Sequence, residues 1–112
     1  MIRRGEVYWA KLVPIEGSEI GKTRPAVVIS NNINNEFADT VTVIPVTSSV
    51  GKVYPFEVSI PGGNGGLTAD SRIKANQIRT IDKKRLVNFR YSLPIQFIPR
   101  VEQALKVHLN IH

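Results

Sequence analysis

Apolar, β-branched segments recur along this chain between proline- and glycine-bearing breaks, and only the last stretch repeats apolar residues at helical spacing. Residues 5–13 are rich in Val, Tyr, Trp and Leu and stop at Pro14. Residues 25–30 form a short apolar run of the kind that is buried on both faces. Residues 40–47 alternate and are strongly β-branched, which stiffens them toward extended backbone. Residues 55–60 alternate again, with Phe56, Val58 and Ile60 on one face. Pro61-Gly62-Gly63-Asn64-Gly65-Gly66 reads as a flexible turn. Residues 71–75, 77–81 and 87–91 read as further short strands, and the polar stretch 31–39 as a loop with a helical turn. At the C-terminus Pro99 suits the first turn of a helix, and Val101, Ala104, Leu105 and Leu109 share one of its faces. Many short strands with one terminal helix predict a mainly β fold, a small and strongly bent β-barrel.

At 112 residues the chain is large enough for one core. No repeat, low-complexity segment or linker divides it, so residues 1–112 read as a single domain. The absence of cysteine excludes disulfides and thiolate zinc sites and fits a reducing compartment. No apolar run has the length or flanks of a signal peptide or a bilayer span, so a cytoplasmic protein is expected. Fifteen Lys and Arg against nine Asp and Glu give a net charge of +6. That balance favours a polyanionic partner, nucleic acid or an acidic protein, without choosing between them.

The candidate chemistry gathers around two positions. In Gly17-Ser18-Glu19-Ile20-Gly21-Lys22-Thr23-Arg24-Pro25-Ala26-Val27-Val28, a polar, glycine-bearing loop delivers Arg24 to the mouth of an apolar strand. Pro25 biases Arg24 toward extended backbone. A guanidinium held where scaffold meets solvent is a ready phosphate clamp, because its planar fork stays charged and donates to two oxygens at once. Thr47 ends the run Val43-Ile44-Pro45-Val46-Thr47, and its hydroxyl can donate to and accept from a phosphate oxygen. Pro45 removes a ladder donor and predicts a strand edge or a bulge. Ser71 after Asp70, and Gln77 at the start of Gln77-Ile78-Arg79-Thr80-Ile81-Asp82, offer groups that can read base edges or equally hydrogen-bond a neighbouring loop. Tyr8 and Trp9 are adjacent in one strand and so face opposite sides, one toward the core and the other toward the surface. Asp82-Lys83-Lys84-Arg85 reads as a capped, solvated turn. The two histidines, His108 and His112, lie on the terminal helix and at the last residue, and no histidine–carboxylate cluster has metal-ligand spacing. Any catalysis is therefore expected to be independent of histidine, metal and cofactor.

Taken in order, these segments resemble the MazF/PemK family of toxin endoribonucleases over nearly the whole chain. Arg4-Gly5-Glu6-Val7-Tyr8-Trp9 looks like the family's first strand. Gly17-Ser18-Glu19 with Arg24-Pro25-Ala26-Val27-Val28 looks like its hallmark loop and second strand. Val43-Ile44-Pro45-Val46-Thr47 and Tyr54-Pro55-Phe56-Glu57-Val58 resemble the next two, and Asp70-Ser71 with the segment from Gln77 to Asp82 resembles a later one. The resemblance implies an SH3-like, CcdB/MazF-like barrel acting as a homodimer. It implies sequence-specific, metal-independent cleavage of single-stranded RNA by the toxin of a type II toxin–antitoxin module, blocked by an acidic MazE-like antitoxin. By resemblance Arg24 and Thr47 are the catalytic pair. Ser18, Glu19, Lys22, Ser71 and Gln77 bind RNA or support the site. Two rival readings share the fold: a gyrase poison, and a catalytically silent nucleic-acid-binding barrel.

Overall fold

The longest strand, β3 (Thr40–Thr47), is the axis around which the sheet is built. The computed structural model describes residues 1–48, 51–63 and 69–112. Within them the other elements are β1 (Glu6–Lys11), β2 (Thr23–Val28), α1 (Asn32–Phe37), β4 (Glu57–Ile60), β5 (Ser71–Lys74), β6 (Arg79–Asp82), β7 (Leu86–Ser92) and α2 (Ile98–Leu109). All pairings are antiparallel, and the strand order is β4-β5-β3-β2-β1-β7, with β6 also on β3. The sheet is barrel-like, as expected, although its hydrogen-bonded path does not close among the described residues.

One side of β3 faces β2, through Val43↔Val28, Ile44↔Val27 and Pro45↔Ala26. Its other side faces β6 from Thr40 to Val43, then β5 at Val46 and Thr47. Pro45 is fully buried in this central strand, so the expected sheet edge is not there. It stands where β3 exchanges β6 for β5, and its missing N–H falls at that break in the ladder.

Alternation along β2 and β3 feeds two cores. Val27, Ile44 and Val46 join Val58, Ile60, Ile73 and the buried face of α2. Ala26, Val28, Val41 and Val43 face the other way, onto Ala10, Leu12 and Ile81. The double burial expected of the 25–30 run is what the structure shows. On α2 the buried residues are Val101 and Ala104, with Leu105 packed at the core margin. Leu109 is exposed, since the helix has run past the barrel by then.

The loop between β2 and β3 holds a full helix rather than a single turn. Asn31 caps α1 by accepting from Asn34 N at 2.8 Å, which satisfies one of the free N–H groups of a helix start. Residues 75–77, read in part as strand, form a 3-10 turn. A second such turn follows Asp82, whose carboxylate accepts from Lys84 N at 2.8 Å, as expected of a capped turn. The glycine-rich turn read at residues 61–66 begins after β4, where Gly62 N donates to Asp70 Oδ1 at 2.8 Å. Its positions 64–66 lie outside the described residues.

Candidate active site

The register of β2 on β3, continued two residues toward the strand ends, brings Arg24 across from Thr47. Each is half-buried, and each ends in an unsatisfied polar atom. Arg24 Nε and Thr47 Oγ1 are both buried without a hydrogen-bond partner among the described residues. Leaving a buried donor or acceptor unpaired costs about 1–3 kcal/mol. Two such atoms side by side are uncommon in a folded chain unless a ligand completes them.

Clefts open on both sides of Arg24. One, of about 310 Å³, is lined by Thr23, Arg24, Ser48 and Ser71, with Trp9 and Arg90 on its wall. The other, of about 390 Å³, is lined by Glu19, Lys22, Arg24, Thr47 and Ser48. The structure thus gathers Arg24, Thr47, Glu19 and Lys22 in one cleft and Arg24 with Ser71 in its neighbour. Ser71 opens β5, is buried, and donates to Ala69 O at 3.1 Å. Ser18 is exposed and lines neither cleft. Gln77 also stands outside the lining: its Oε1 accepts from Ile20 N at 3.3 Å, a contact to the loop that carries Glu19 and Lys22.

That loop is shaped by close packing and by one unusual backbone. A Cβ on Gly21 would meet the Ile15 side chain at 2.8 Å, so a larger residue there has to push Ile15 aside. Lys22 adopts the left-handed conformation (φ 66°), and its carbonyl accepts from Leu12 N at 2.9 Å. A non-glycine residue held there two positions before Arg24 is local strain beside the cleft. Glu19 turns back on its own loop, its Oε1 accepting from Glu16 N at 3.0 Å. Arg79 Nη1 donates to Leu12 O at 3.0 Å, fixing the start of the loop against β6. Arg85 does more than solvate its turn, since Nη1 donates to the carbonyls of Lys11 and Val13.

Sequence reasoning missed two groups. The first is Trp9 with Arg90. The β1–β7 pairing shifts register between Val7 and Tyr8 and between Trp9 and Ala10, where β7 carries Arg90 and Val87 as extra residues, and such bulges re-aim side chains. Tyr8 and Trp9 are both half-buried and divide as expected, Tyr8 packing against the core of Ala10, Leu12 and Ile81 and Trp9 lining the open cleft. Tyr8 meets Phe89 edge to face at 5.6 Å and donates to Glu6 Oε1 at 3.0 Å. Burial and the Glu6 carboxylate push its hydroxyl up to about 12. The neighbouring Tyr91 hydroxyl is also pushed up by burial, with the Arg90 charge opposing. The second group is a buried ion cluster next to Thr47. Arg72, its partner on β5, lies 3.6 Å from Glu57 and donates to Lys52 O at 2.7 Å and to Gly51 O. Lys74 adds a 3.4 Å contact to Glu57, the residue opposite it in register. Opposite charges at alternate positions of two predicted strands were the available signal.

Among the described residues no three His, Cys, Asp or Glu side chains are grouped to hold a metal ion, and no helix is long and apolar enough to cross a membrane. Comparison with known proteins adds a consistent set of relatives. The family described as PemK-like, MazF-like toxin of type II toxin–antitoxin system matches residues 3–109. The endoribonuclease MazF9 of Mycobacterium tuberculosis is 40% identical over 116 residues, covering 99% of this chain and 98% of that protein. The endoribonuclease EndoA of Bacillus subtilis is 40% identical over 112 residues, covering 99% and 97%. The crystal structure of MazF from Deinococcus radiodurans superposes with a TM-score of 0.83 at 29% identity, over 97% of this chain and 96% of that one. A structure of the MazE–MazF complex from the same organism matches with a TM-score of 0.78 at 28% identity, over 99% and 97%.

Proposed function

The chain belongs to the PemK-like, MazF-like toxin family and is an endoribonuclease of a type II toxin–antitoxin system, and on that premise we propose that it cuts single-stranded RNA at defined sequences without a metal ion. The observation that carries this reading is the pair of buried, unpartnered atoms, Arg24 Nε and Thr47 Oγ1, at positions that the β2–β3 register sets opposite each other. In the reaction the RNA 2′-oxygen attacks the adjacent phosphorus as its proton leaves, and the bond to the 5′-oxygen breaks as that oxygen gains a proton. The products are a cyclic phosphate and a 5′-hydroxyl. Charge builds on the phosphoryl oxygens, and a preorganised donor aimed at that charge is where most of the acceleration in such transfers arises. Arg24 supplies the donor and its permanent positive charge, the task that a metal ion performs elsewhere. Thr47 Oγ1 orients the same phosphate. Glu19 is the carboxylate among the residues lining that cleft, and in this proposal it accepts the 2′-hydroxyl proton. Lys22 and Ser71 bind flanking parts of the strand, Gln77 holds the loop, and Ser18 is the exposed loop position available to a base.

The MazE–MazF complex among the relatives supports an antitoxin partner, and the basic charge of this chain suits an acidic segment that wraps the same clefts. A homodimer in the cytoplasm completes the proposal. Endoribonuclease relatives at 40% identity favour the enzyme over the gyrase poison and over the silent binder. The deciding experiment is cleavage of a long single-stranded RNA in EDTA by wild type and Arg24→Ala, with the ends mapped. Discrete cuts by wild type alone are expected. Equal cutting by a folded Arg24→Ala protein removes Arg24 from the mechanism, and loss of wild-type cutting in EDTA overturns metal independence.

A further inference from the structure

The arginines of this chain sort themselves by what their guanidiniums touch. Arg4, Arg72, Arg79 and Arg85 each donate to a carbonyl or carboxylate oxygen of the protein. Arg24 and Arg90 are the half-buried arginines left without an acceptor among the described residues, and both line the cleft of about 310 Å³. Arg90 is nevertheless held. Its guanidinium lies 4.5 Å from the centre of the Trp9 ring and 5.8 Å from that of Tyr91. Arg90 is itself the extra residue on β7 where the pairing shifts between Val7 and Tyr8, one step from Trp9 on β1. A stacked guanidinium is fixed in plane while its N–H edge stays free, so little freedom is lost when it takes an anion. Two positive groups sharing one cleft without a counter-charge also repel each other, and a ligand with two anionic groups relieves both at once.

We propose that Arg90, seated on Trp9, grips a phosphate adjacent to the one that Arg24 holds. This rests on the nuclease reading for the identity of the ligand, a single RNA strand with successive phosphates. Arg90 is then a binding residue and stands apart from bond breaking. The contact fixes the register of the strand along the cleft, and with it which phosphate reaches Arg24.

The test compares wild type, Arg90→Gln, Arg90→Lys and Arg100→Gln. Arg100 is a matched control, stacked on Phe97 at 5.3 Å on α2 and outside both clefts. Each protein is assayed for steady-state RNA cleavage. Each is also assayed for binding of a 2′-deoxy-substituted oligonucleotide across a salt series, with thermal melts as the folding check. Arg90→Gln is expected to raise KM and Kd about tenfold, to leave kcat within about twofold, and to flatten the log Kd against log salt slope by about 0.7, the share of one phosphate contact on a single strand. Arg90→Lys restores the slope and only part of the affinity, because an ammonium lacks the planar fork. Arg100→Gln matches wild type. Unchanged Kd and slope in Arg90→Gln overturn the contact. So does a fall in kcat and melting temperature with the slope intact, which marks a structural role. A wild type that binds the oligonucleotide and cuts nothing overturns the nuclease reading instead, and the Kd and slope then judge Arg90 on their own.

Discussion

The two ends of the β2–β3 pair are built from similar polar residues and finished in opposite ways. At the end carrying α1, Ser30, Asn31, Asn32, Asn34 and Asn35 close on the protein. Asn35 is 1% exposed, accepts from the Ser30 hydroxyl, and donates to Ser30 O at 2.9 Å. Thr42 N donates to Ser30 Oγ at 3.1 Å, and Asn32 Oδ1 accepts from Arg4 N at 2.7 Å. At the other end Arg24 Nε and Thr47 Oγ1 are buried and unmatched. The first end is architecture, since its hydrogen bonds hold α1 against the sheet. The second is unfinished chemistry, since it gains its partners only when something enters the cleft. The same sheet supports both, and the difference lies in whether the polar groups find one another.

Mutations at the two ends should separate activity from stability. The largest effect is expected from Arg24→Ala, with cleavage falling about 100- to 1,000-fold, the cost of losing one preorganised donor at developing charge. Its melting temperature should stay near that of wild type. Asn35→Ala should do the reverse. Orphaning its buried partners costs about 2–3 kcal/mol, which lowers the melting midpoint by about 10 °C and leaves the cleavage rate at 25 °C unchanged. If Asn35→Ala abolished cutting in a protein that melts normally, the contrast would be wrong. Thr47→Val is the sharper probe, because it keeps the shape and removes an unpaired hydroxyl. Cleavage should drop about tenfold while denaturant unfolding shows a stability equal to wild type or higher by about 1 kcal/mol. The smallest effect concerns pH and another closed contact. The Tyr8 hydroxyl, paired with Glu6 and pushed up to about 12, exceeds the ordinary tyrosine value near 10, so its neutral form is the one that the fold favours. That contribution is complete below about pH 10 and fades as pH climbs toward 12. Unfolding curves of Tyr8→Phe should lose that share of the alkaline slope, and phenolate absorbance should show the delayed titration.

Much of the architecture was legible because periodicity reports burial directly. The double burial of residues 25–30, the alternation of residues 40–47 and the terminal helix all follow from side chains that must leave water. Pro45 was misread because a missing N–H is equally harmless at a sheet edge and at a change of partner, and only topology separates the two. Arg24 and Thr47 stood out individually, whereas their apposition is a matter of register, which two separate strands do not reveal. Gln77 read equally as a reader of bases or as a bond to a neighbouring loop, and the second is seen at Ile20 N, a partner too far along the chain to name in advance. Arg90 was invisible as a site residue because it is itself the extra residue at a register shift of β7 on β1, and one strand alone does not reveal its register.

β3 draws its ladder partners from segments far apart in order of synthesis: β2 precedes it, while β5 and β6 follow at residues 71–74 and 79–82. Arg24 and Thr47 leave the ribosome early, yet the strand that holds them opposite each other is unsupported along one side until residue 82 has emerged. Contacts of that separation form late and together. A nascent or prematurely released fragment therefore carries Arg24 and Thr47 without the cleft that joins them, which forms only when most of the chain has been made.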